Sequence, residues 1–447
     1  MLSAEQNDLI TRTGPEAPAG QVLRRYWQPV ALSEELVGER PLTAVTLLGE
    51  RLVLFRDERG SLGLIDRQCP HRGADLCFGR LEDGGLRCPF HGWLFDTNGH
   101  CLEQPGEPQG SLYFKNIQQN GYPCIERNGM IFAFMGAGQA PALPQIDCFE
   151  APEEYTFAFK GHLECNWLQA LEVGIDPVHA SFLHRYSKAG DPGLIYGQQF
   201  RDTAGEDCIS MTTLLREFPQ PQIEVDQTKY GLRLRTVRDL GDDHKHVRIT
   251  NQLFPQAICI PMSNEMTITQ WHVPIDDKNC YWYALFTNFK APVDQEKMRS
   301  QRLELYQLPD YRARRNKTND YGYDPQEQRT RTYTGMGDDI NVHDQWAVES
   351  MGAIQDRTRE HLGRTDIAIR EYRKLLLQAI TDQKKGCPLD HAISPTGRFG
   401  PEAVDAISSG SDWQNGWLGL DRERRVASPW NAALPESTDQ AEPGADS

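Results

Sequence analysis

Arg67-Gln68-Cys69-Pro70-His71-Arg72-Gly73-Ala74-Asp75 and Arg87-Cys88-Pro89-Phe90-His91-Gly92-Trp93-Leu94-Phe95 are the two stretches whose reading organises the rest of this chain. Sixteen residues separate His71 from Cys88, and the grammar is C-x-H followed by C-x-x-H. Each stretch delivers one thiol and one imidazole from a short loop. Proline and glycine flank the donors, as expected where backbone turns tightly around a bound inorganic core. A structural zinc site is the competing reading, but its usual order is Cys-x-x-Cys followed by two spaced histidines. Here the two residue types alternate, so each loop carries one of each.

Two thiolates on one iron and two imidazoles on the other form the donor set of a Rieske [2Fe–2S] centre, which makes Cys69, His71, Cys88 and His91 its candidate ligands. Neutral imidazoles leave less negative charge on the cluster and raise its potential, to roughly −150 to +300 mV in general. Such a centre relays electrons, and a relay needs a destination.

The chain has 447 residues, too many for a small electron carrier alone. With 47 basic and 63 acidic side chains its formal charge is −16, which argues against a nucleic-acid partner, since phosphate binding needs a basic surface. Eleven cysteines, an odd number without framework spacing outside the two loops, fit a reducing cytoplasm. The opening MLSAEQNDLITRTG lacks the basic start and apolar stretch of a signal peptide, and no window approaches 18 apolar residues. A soluble cytoplasmic protein with no membrane span is expected.

Residues 4–25 read as a short helix broken at Gly14-Pro15. Short apolar, β-branched runs come next (LTAVTLLG, RLVLFRD, LGLID, LYFKNIQ, YPCIER, MIFAFMG) and predict a small β-rich unit interrupted by the two donor loops. AGQAPALPQ at 137–145 marks a boundary. A strand then turns helical near Asn166, and ISMTTLLREF, GLRLRTVRDL, HVRITNQLF, MTITQWHVPI and CYWYALFTNF predict an antiparallel sheet. MGAIQDRTREHL and IAIREYRKLLLQAI read as helices on either side of Gly363-Arg364-Thr365, with Thr365 or Asp366 as the second N-cap. The closing PESTDQAEPGADS predicts a disordered acidic tail.

The second informative stretch runs from Asn166 to His184, NWLQALEVGIDPVHASFLH, and contains D-x-x-H-x-x-x-x-H. Two histidines with nearby carboxylates begin a 2-His-1-carboxylate triad, which leaves positions open on non-haem Fe(II). The zinc-protease motif is excluded, because it spaces its histidines four apart with a glutamate between. Five residues on a regular helix diverge by about 140°. His179 and His184 therefore share a metal only if the helix bends or ends between them, and Gly174 and Pro177 give reasons for that. The bland alternative is an ordinary pair of helical polar residues.

The combination resembles the Rieske non-haem iron oxygenases, oxygenase (α) component. Within them it is most similar to the phthalate dioxygenase group, which includes O-demethylases of lignin-derived aromatic acids. The stretches carrying the resemblance are MLSAEQNDLITRTGP, LRRYWQPVA, CPHRGAD, CPFHGW, NWLQALEVGIDPVHASFLH and NVHDQWAVESMGAIQDRT. It implies an α+β fold, a β-rich Rieske domain followed by a catalytic domain whose antiparallel sheet is covered by helices. The implied division is 1–40 packing on the catalytic domain, 41–140 Rieske, 141–400 mononuclear iron, and 401–447 a C-terminal extension. The resemblance puts the Rieske ligands on Cys69, His71, Cys88 and His91 and the iron histidines on His179 and His184. The third iron ligand falls on Asp344, with Asp338, Asp339, Glu349 and Asp356 as competitors. Asp176 falls where the family has an aspartate bridging the first iron histidine to a cluster histidine of the neighbouring subunit, which implies a homotrimer or a multiple of one. In the plainer reading Asp176 only caps the turn before Pro177.

The resemblance further implies an oxygenase using O₂ and NAD(P)H-derived electrons from a flavin and ferredoxin-type reductase. No G-x-G-x-x-G comes after a strand, so the chain has no Rossmann unit of its own. Phe254, Ile258, Ile260, Trp271, Trp282 and Phe286 are candidates to line a pocket for a flat ring, and Arg201, Arg216, Arg235 or Arg248 to bind an aromatic acid. The leading expectation is O-demethylation of a methoxylated aromatic acid, with ring hydroxylation of a phthalate- or benzoate-like carboxylate second. A Rieske electron carrier without catalysis is the reading from another class.

Overall fold

The computed structural model describes residues 1–187, 211–388, 400–410 and 412–430, so candidate Arg201 and the acidic tail at 435–447 lie outside the described residues. The broken N-terminal helix is two helices, Ala4–Thr11 and Pro18–Leu23, the first with a Ser3/Gln6 capping box and the second with proline in its first turn. The apolar runs after it become β1 (Gln28–Leu32), β2 (Leu42–Leu47), β3 (Glu50–Arg56) and β4 (Leu62–Asp66). Short strands β5 (Arg80–Glu82), β6 (Gly85–Arg87), β7 (Leu94–Phe95) and β8 (Cys101–Glu103) come after them, then β9 (Cys124–Arg127) and β10 (Met130–Ala133). They form three antiparallel sheets, β2-β3-β4, β5-β6-β7-β8 and β1-β10-β9. The two donor loops are the β4–β5 and β6–β7 connections, and their cysteines pack into a small core of Val53, Phe55, Ile65, Leu76, Leu86, Trp93 and Phe95.

LYFKNIQ is not the expected strand. It makes a single 3₁₀ turn at Tyr113–Asn116, because Leu112 and Tyr113 point outward while Phe114 and Ile117, three apart, pack on the cysteine-containing core.

The larger half is built on one sheet. Its strands are β11 (Thr156–Leu163), β12 (Gln222–Thr228), β13 (Gly231–Gly241), β14 (His244–Leu253), β15 (Ala257–Pro261), β16 (Met266–Pro274) and β17 (Cys280–Asn288). They run antiparallel in the order β12-β13-β14-β15-β16-β17-β11, and short β18 (Tyr306–Gln307) and β19 (Arg312–Ala313) extend the edge. ISMTTLLREF, expected as the first strand of this series, is instead helical over Met211–Glu217. Met211, Leu214 and Leu215 are the buried positions, at i, i+3 and i+4, so the period is helical.

Two helices frame one face, Trp167–Gly174 and Ile340–Ser350. Gln169 staples them, its amide donating to the Val348 and Gly352 carbonyls at 2.7 and 2.8 Å. MGAIQDRTREHL, expected as a helix, is irregular. Met351 ends the preceding helix, Gly352 takes a left-handed φ of +90°, and the chain runs on to bury Arg357 against Glu172. IAIREYRKLLLQAI does form a helix, Ile367–Lys384, after N-cap residue Asp366. The C-terminal part returns to the sheet: β20 (Asp405–Ser409) pairs with β14 and the Trp413–Ala427 helix packs beside it. Among the described residues no helix is long and apolar enough to cross a membrane.

Candidate metal centres

The donor loops have the same hydrogen-bond plan. Cys69 N–H donates to the Ala74 carbonyl and Cys88 N–H to the Trp93 carbonyl, both at 2.8 Å, while Gly73 and Gly92 N–H donate back to the cysteine carbonyls at 2.8 and 2.9 Å. Both glycines sit at positive φ, +79° and +77°, where a side chain would be strained. Each loop is braced by an arginine, Arg67 bidentate on Asp75 and Arg87 on Glu82, Asp83 and the Gly92 carbonyl. Both cysteines are buried and His91 is exposed; the His71 and His91 rings lie 4.3 Å apart, and Trp93 stacks on His71 at 4.5 Å. Burial, with the neighbouring Cys88, pushes the Cys69 thiol up to about 12. A thiolate pair in that position asks for a cationic centre, which fits the donor set to an iron cluster.

The second group forms where the Trp167–Gly174 helix stops. Asn166 caps its start, accepting from Leu168 N–H at 3.1 Å, and its amide donates to the Thr11 and Asp277 carbonyls. A Cβ at Gly174 would sit 2.5 Å from Ile258 Cδ1, so with glycine there the helix end lies close to β15 without displacing that side chain. Asp176 Oδ1 then accepts from Val178 N–H at 2.9 Å across Pro177, and a single turn, Ala180–Leu183, comes next. His179 precedes that turn and His184, no longer helical, ends it. The break brings the two rings to 5.2 Å, as the five-residue spacing requires.

Asp344, in the second turn of the Ile340–Ser350 helix, completes the group, with one donor atom of each residue within 4.8 Å of the others. Its Oδ1 lies 3.6 Å from His179 Nε2 and 3.3 Å from His184 Nε2, yet makes no hydrogen bond. Burial alone would raise this carboxyl, but His184, His179 and His343 outweigh it and hold it below the ordinary range. The His179 Nδ1–H donates to the Asp176 main-chain carbonyl, which can only accept, so its Nε2 lone pair faces Asp344. A buried carboxylate oxygen without a donor beside such an imidazole fits a missing cation, and two imidazoles with one carboxylate suit non-haem iron.

The other carboxylates are engaged elsewhere. Asp338 pairs with Arg331, Asp339 caps the helix through Asn341 N–H, Glu349 takes Glu164 N–H and the Tyr321 hydroxyl, and Asp356 caps Thr358. The Asp176 carboxylate, expected to accept from His179, instead caps Val178 within this chain.

Sequence reasoning missed His343. Its Nδ1 is 3.3 Å from His184 Nδ1 and its Nε2 2.9 Å from the Gly337 carbonyl, and burial lowers its ring to about 4. Its place beside Asp344 is visible in the sequence, but which way it faces is not.

Between the sheet and this group lies a cavity of about 140 Å³. One face of the sheet lines it at alternate positions: Ile258 and Ile260, then Ile268, Gln270 and His272, then Trp282, Ala284 and Phe286. Trp271, one residue out of that period, and Phe254, beyond the end of β14, line a separate cavity on the opposite side. Of the expected arginines among the described residues only Arg248 borders the metal-side cavity, joined by Arg238 and Arg302, which were not anticipated. Arg216 pairs with Glu217, and Arg235 with Glu224 and Asp226.

Comparison with known proteins gives two family matches: residues 26–123 to the Rieske [2Fe-2S] domain and residues 133–415 to the family described as LigXa C-terminal domain like. The phthalate 4,5-dioxygenase oxygenase subunit of Pseudomonas putida is 32% identical over 435 residues, covering 93% of this chain and 94% of that one. The 5,5'-dehydrodivanillate O-demethylase oxygenase subunit of a Sphingobium species is 32% identical over 400 residues, 86% of this chain and 82% of the other. The crystal structure of dicamba monooxygenase bound to dicamba superposes with a TM-score of 0.55 at 18% identity, covering 81% of this chain and 98% of that one, a likeness of fold.

Proposed function

This chain belongs to the Rieske non-haem iron oxygenases, and we propose that within them it O-demethylates a methoxylated aromatic acid and releases formaldehyde. As an oxygenase component of that family it carries a Rieske [2Fe–2S] cluster and a mononuclear iron and acts with O₂. Bound iron supplies the oxygen chemistry and the cluster supplies electrons. We read Cys69, His71, Cys88 and His91 as the cluster ligands and His179, His184 and Asp344 as those of the lone iron. The proposed division is a Rieske unit over 41–140 and an iron-binding unit over 141–400, with 1–40 packed on the latter and 401–447 a C-terminal extension.

The observation that carries the substrate reading is the cavity beside His179, His184 and Asp344. Ile258, Ile260, Ile268, Trp282 and Phe286 give it apolar walls sized for one ring. Arg238, Arg248 and Arg302 add positive charge suited to a carboxylate. Arg248 is itself fixed, with Asp405 on one side and the Pro261 carbonyl at 2.9 Å on the other. His272 and Gln270, 3.1 Å apart, offer polar contacts to a ring oxygen, and burial lowers the His272 imidazole to about 3, so it stays neutral. Demethylation leads because a relative of this chain over 86% of its length is named an O-demethylase. Ring hydroxylation of an aromatic carboxylate is second, supported by the match to a phthalate dioxygenase subunit over 93% of the chain.

Electrons, on this proposal, come from a separate flavin and ferredoxin-type reductase. They cross between subunits of a homotrimer or a multiple of one, through Asp176. Supporting this, Phe90 and Tyr113 are exposed at the cluster end. A groove of about 760 Å³ beside Asp176 and His179 exposes Phe182, Tyr323, Tyr333 and Met351.

A screen of aromatic acids with a surrogate reductase tests the reading, with O₂ uptake and formaldehyde recorded together. Formaldehyde equimolar with consumed methoxylated acid is expected. A diol product without formaldehyde would overturn demethylation in favour of ring hydroxylation.

A further inference from the structure

We propose that His343 is a positioning residue, holding His184 in the tautomer that binds metal through Nε2. The inference rests on the reading of His179, His184 and Asp344 as iron ligands. Ligating histidines are usually oriented by a carboxylate, a main-chain carbonyl or water on the far nitrogen. Here the group on the far nitrogen of His184 is a second histidine.

The chain of donors can be traced from its fixed end. The Gly337 carbonyl only accepts, so His343 Nε2, 2.9 Å away, carries a proton. A neutral imidazole has one N–H, which leaves His343 Nδ1 as an acceptor. A second proton there would set two N–H groups face to face across 3.3 Å. His184 Nδ1 is therefore the donor in that contact. Its Nε2 is left with a lone pair on the side where Asp344 Oδ1 lies at 3.3 Å.

The arrangement is also economical in sequence. His343 and Asp344 are adjacent on the Ile340–Ser350 helix, so one element delivers a ligand and the group that orients another ligand. The rings of His184 and His343 lie nearly parallel, 24° between planes and 5.5 Å between centroids, and His343 is buried. On the other side His179 is oriented by the Asp176 main-chain carbonyl. Both imidazoles thus have an acceptor for their far nitrogen within this chain, and Asp344 is the one carboxylate among the three ligands.

The test uses the full-length protein with its cluster in place and measures Fe(II) affinity at the mononuclear site by chelator competition. His343→Leu is expected to weaken binding about 10–100-fold, the usual cost of removing such a partner. His343→Gln, whose amide can both accept and donate, is expected to stay within about threefold of the parent. The Rieske visible spectrum should not change in either. The EPR spectrum of the nitric oxide adduct of the lone iron should change in His343→Leu and be restored in His343→Gln. If His343→Leu loses the cluster absorption, His343→Met takes its place in the same comparison.

An apolar variant that binds Fe(II) as the parent does, or a glutamine variant as weak as the apolar one, would overturn the proposal. A parent protein that never takes up iron beyond the cluster would sink the ligand reading instead.

Discussion

Between residues 69 and 91 four candidate donors are held by contacts that scarcely leave their own loops, whereas 179, 184 and 344 meet only because two helices and a break between them are aligned. In the cluster loops each cysteine bonds to a carbonyl five residues on, and the bracing arginines pair with carboxylates no more than sixteen residues away. In the iron region the fixing contacts span the chain: Gln169 to Val348, Glu164 to Glu349, and Glu172 to Arg357 and Arg373. The first arrangement is local; the second is long-range. Two sites so differently supported should fail independently.

The largest expected effect tests that independence. Asp344→Ala should remove the mononuclear iron and abolish substrate turnover, leaving the Rieske absorption and its reduction by the reductase intact. Cys88→Ser should do the reverse, bleaching the visible spectrum while iron binding at the other site survives. Metal analysis alongside absorption reads both, and a variant that loses both metals at once would show that the two regions fold as one unit.

Asp176→Ala sharpens the comparison at the point where the regions meet in the proposed trimer. Both metals should stay bound, and turnover coupled to substrate should nearly vanish, because the proposed electron path between subunits runs through this residue. Within the chain the carboxylate caps Val178, so Asp176→Asn, which keeps an acceptor for that cap, separates the roles. Recovery of turnover by asparagine would assign the loss to the cap and remove the residue from the electron path.

The same contrast explains what is legible in the sequence alone. C-x-H and C-x-x-H need only neighbours to be recognised, and the fold obeys them. His179 and His184 are legible because proline and glycine near them announce a break. Asp344 needs the resemblance, since nothing local distinguishes it from Asp338, Asp339 or Asp356, and the packed helix is what sets it beside both histidines. Strand parity is harder. Trp271 and Gln270 are equally plausible beside a ring until the register fixes which face β16 turns to the cavity. The two misread helical segments have one origin. Over 211–217 composition suggests a strand where the period is helical, and over 351–362 the period suggests a helix that Gly352 has already ended.

Glu172 offers a smaller effect, on stability, confined to the long-range region. It is buried, with Arg357 Nη2 at 2.8 Å and Arg373 Nε at 2.6 Å, and Arg373 also pairs with Glu360. These contacts tie the irregular 351–362 segment and the Ile367–Lys384 helix to the helix that leads to His179. Burial would raise the Glu172 carboxyl, but the two guanidiniums outweigh it and hold it below its ordinary 4.5. A depressed carboxyl contributes stability that is fully present above the unfolded value and is lost as pH falls through the folded one. The parent should therefore lose stability progressively below pH 4.5. Glu172→Gln removes one partner of a buried pair and should cost about 3–5 kcal/mol at neutral pH, with a flatter acid dependence. Thermal unfolding of parent and variant from pH 7 downward, with cluster absorption recorded alongside tryptophan fluorescence, checks both parts. If the region is fixed as described, the fluorescence transition moves down in temperature at neutral pH and iron is lost with it, while absorption from the locally braced cluster persists to higher temperature. An unchanged transition, or a cluster that bleaches in step with it, would mean that the Glu172 network is not what holds the iron half apart from the other.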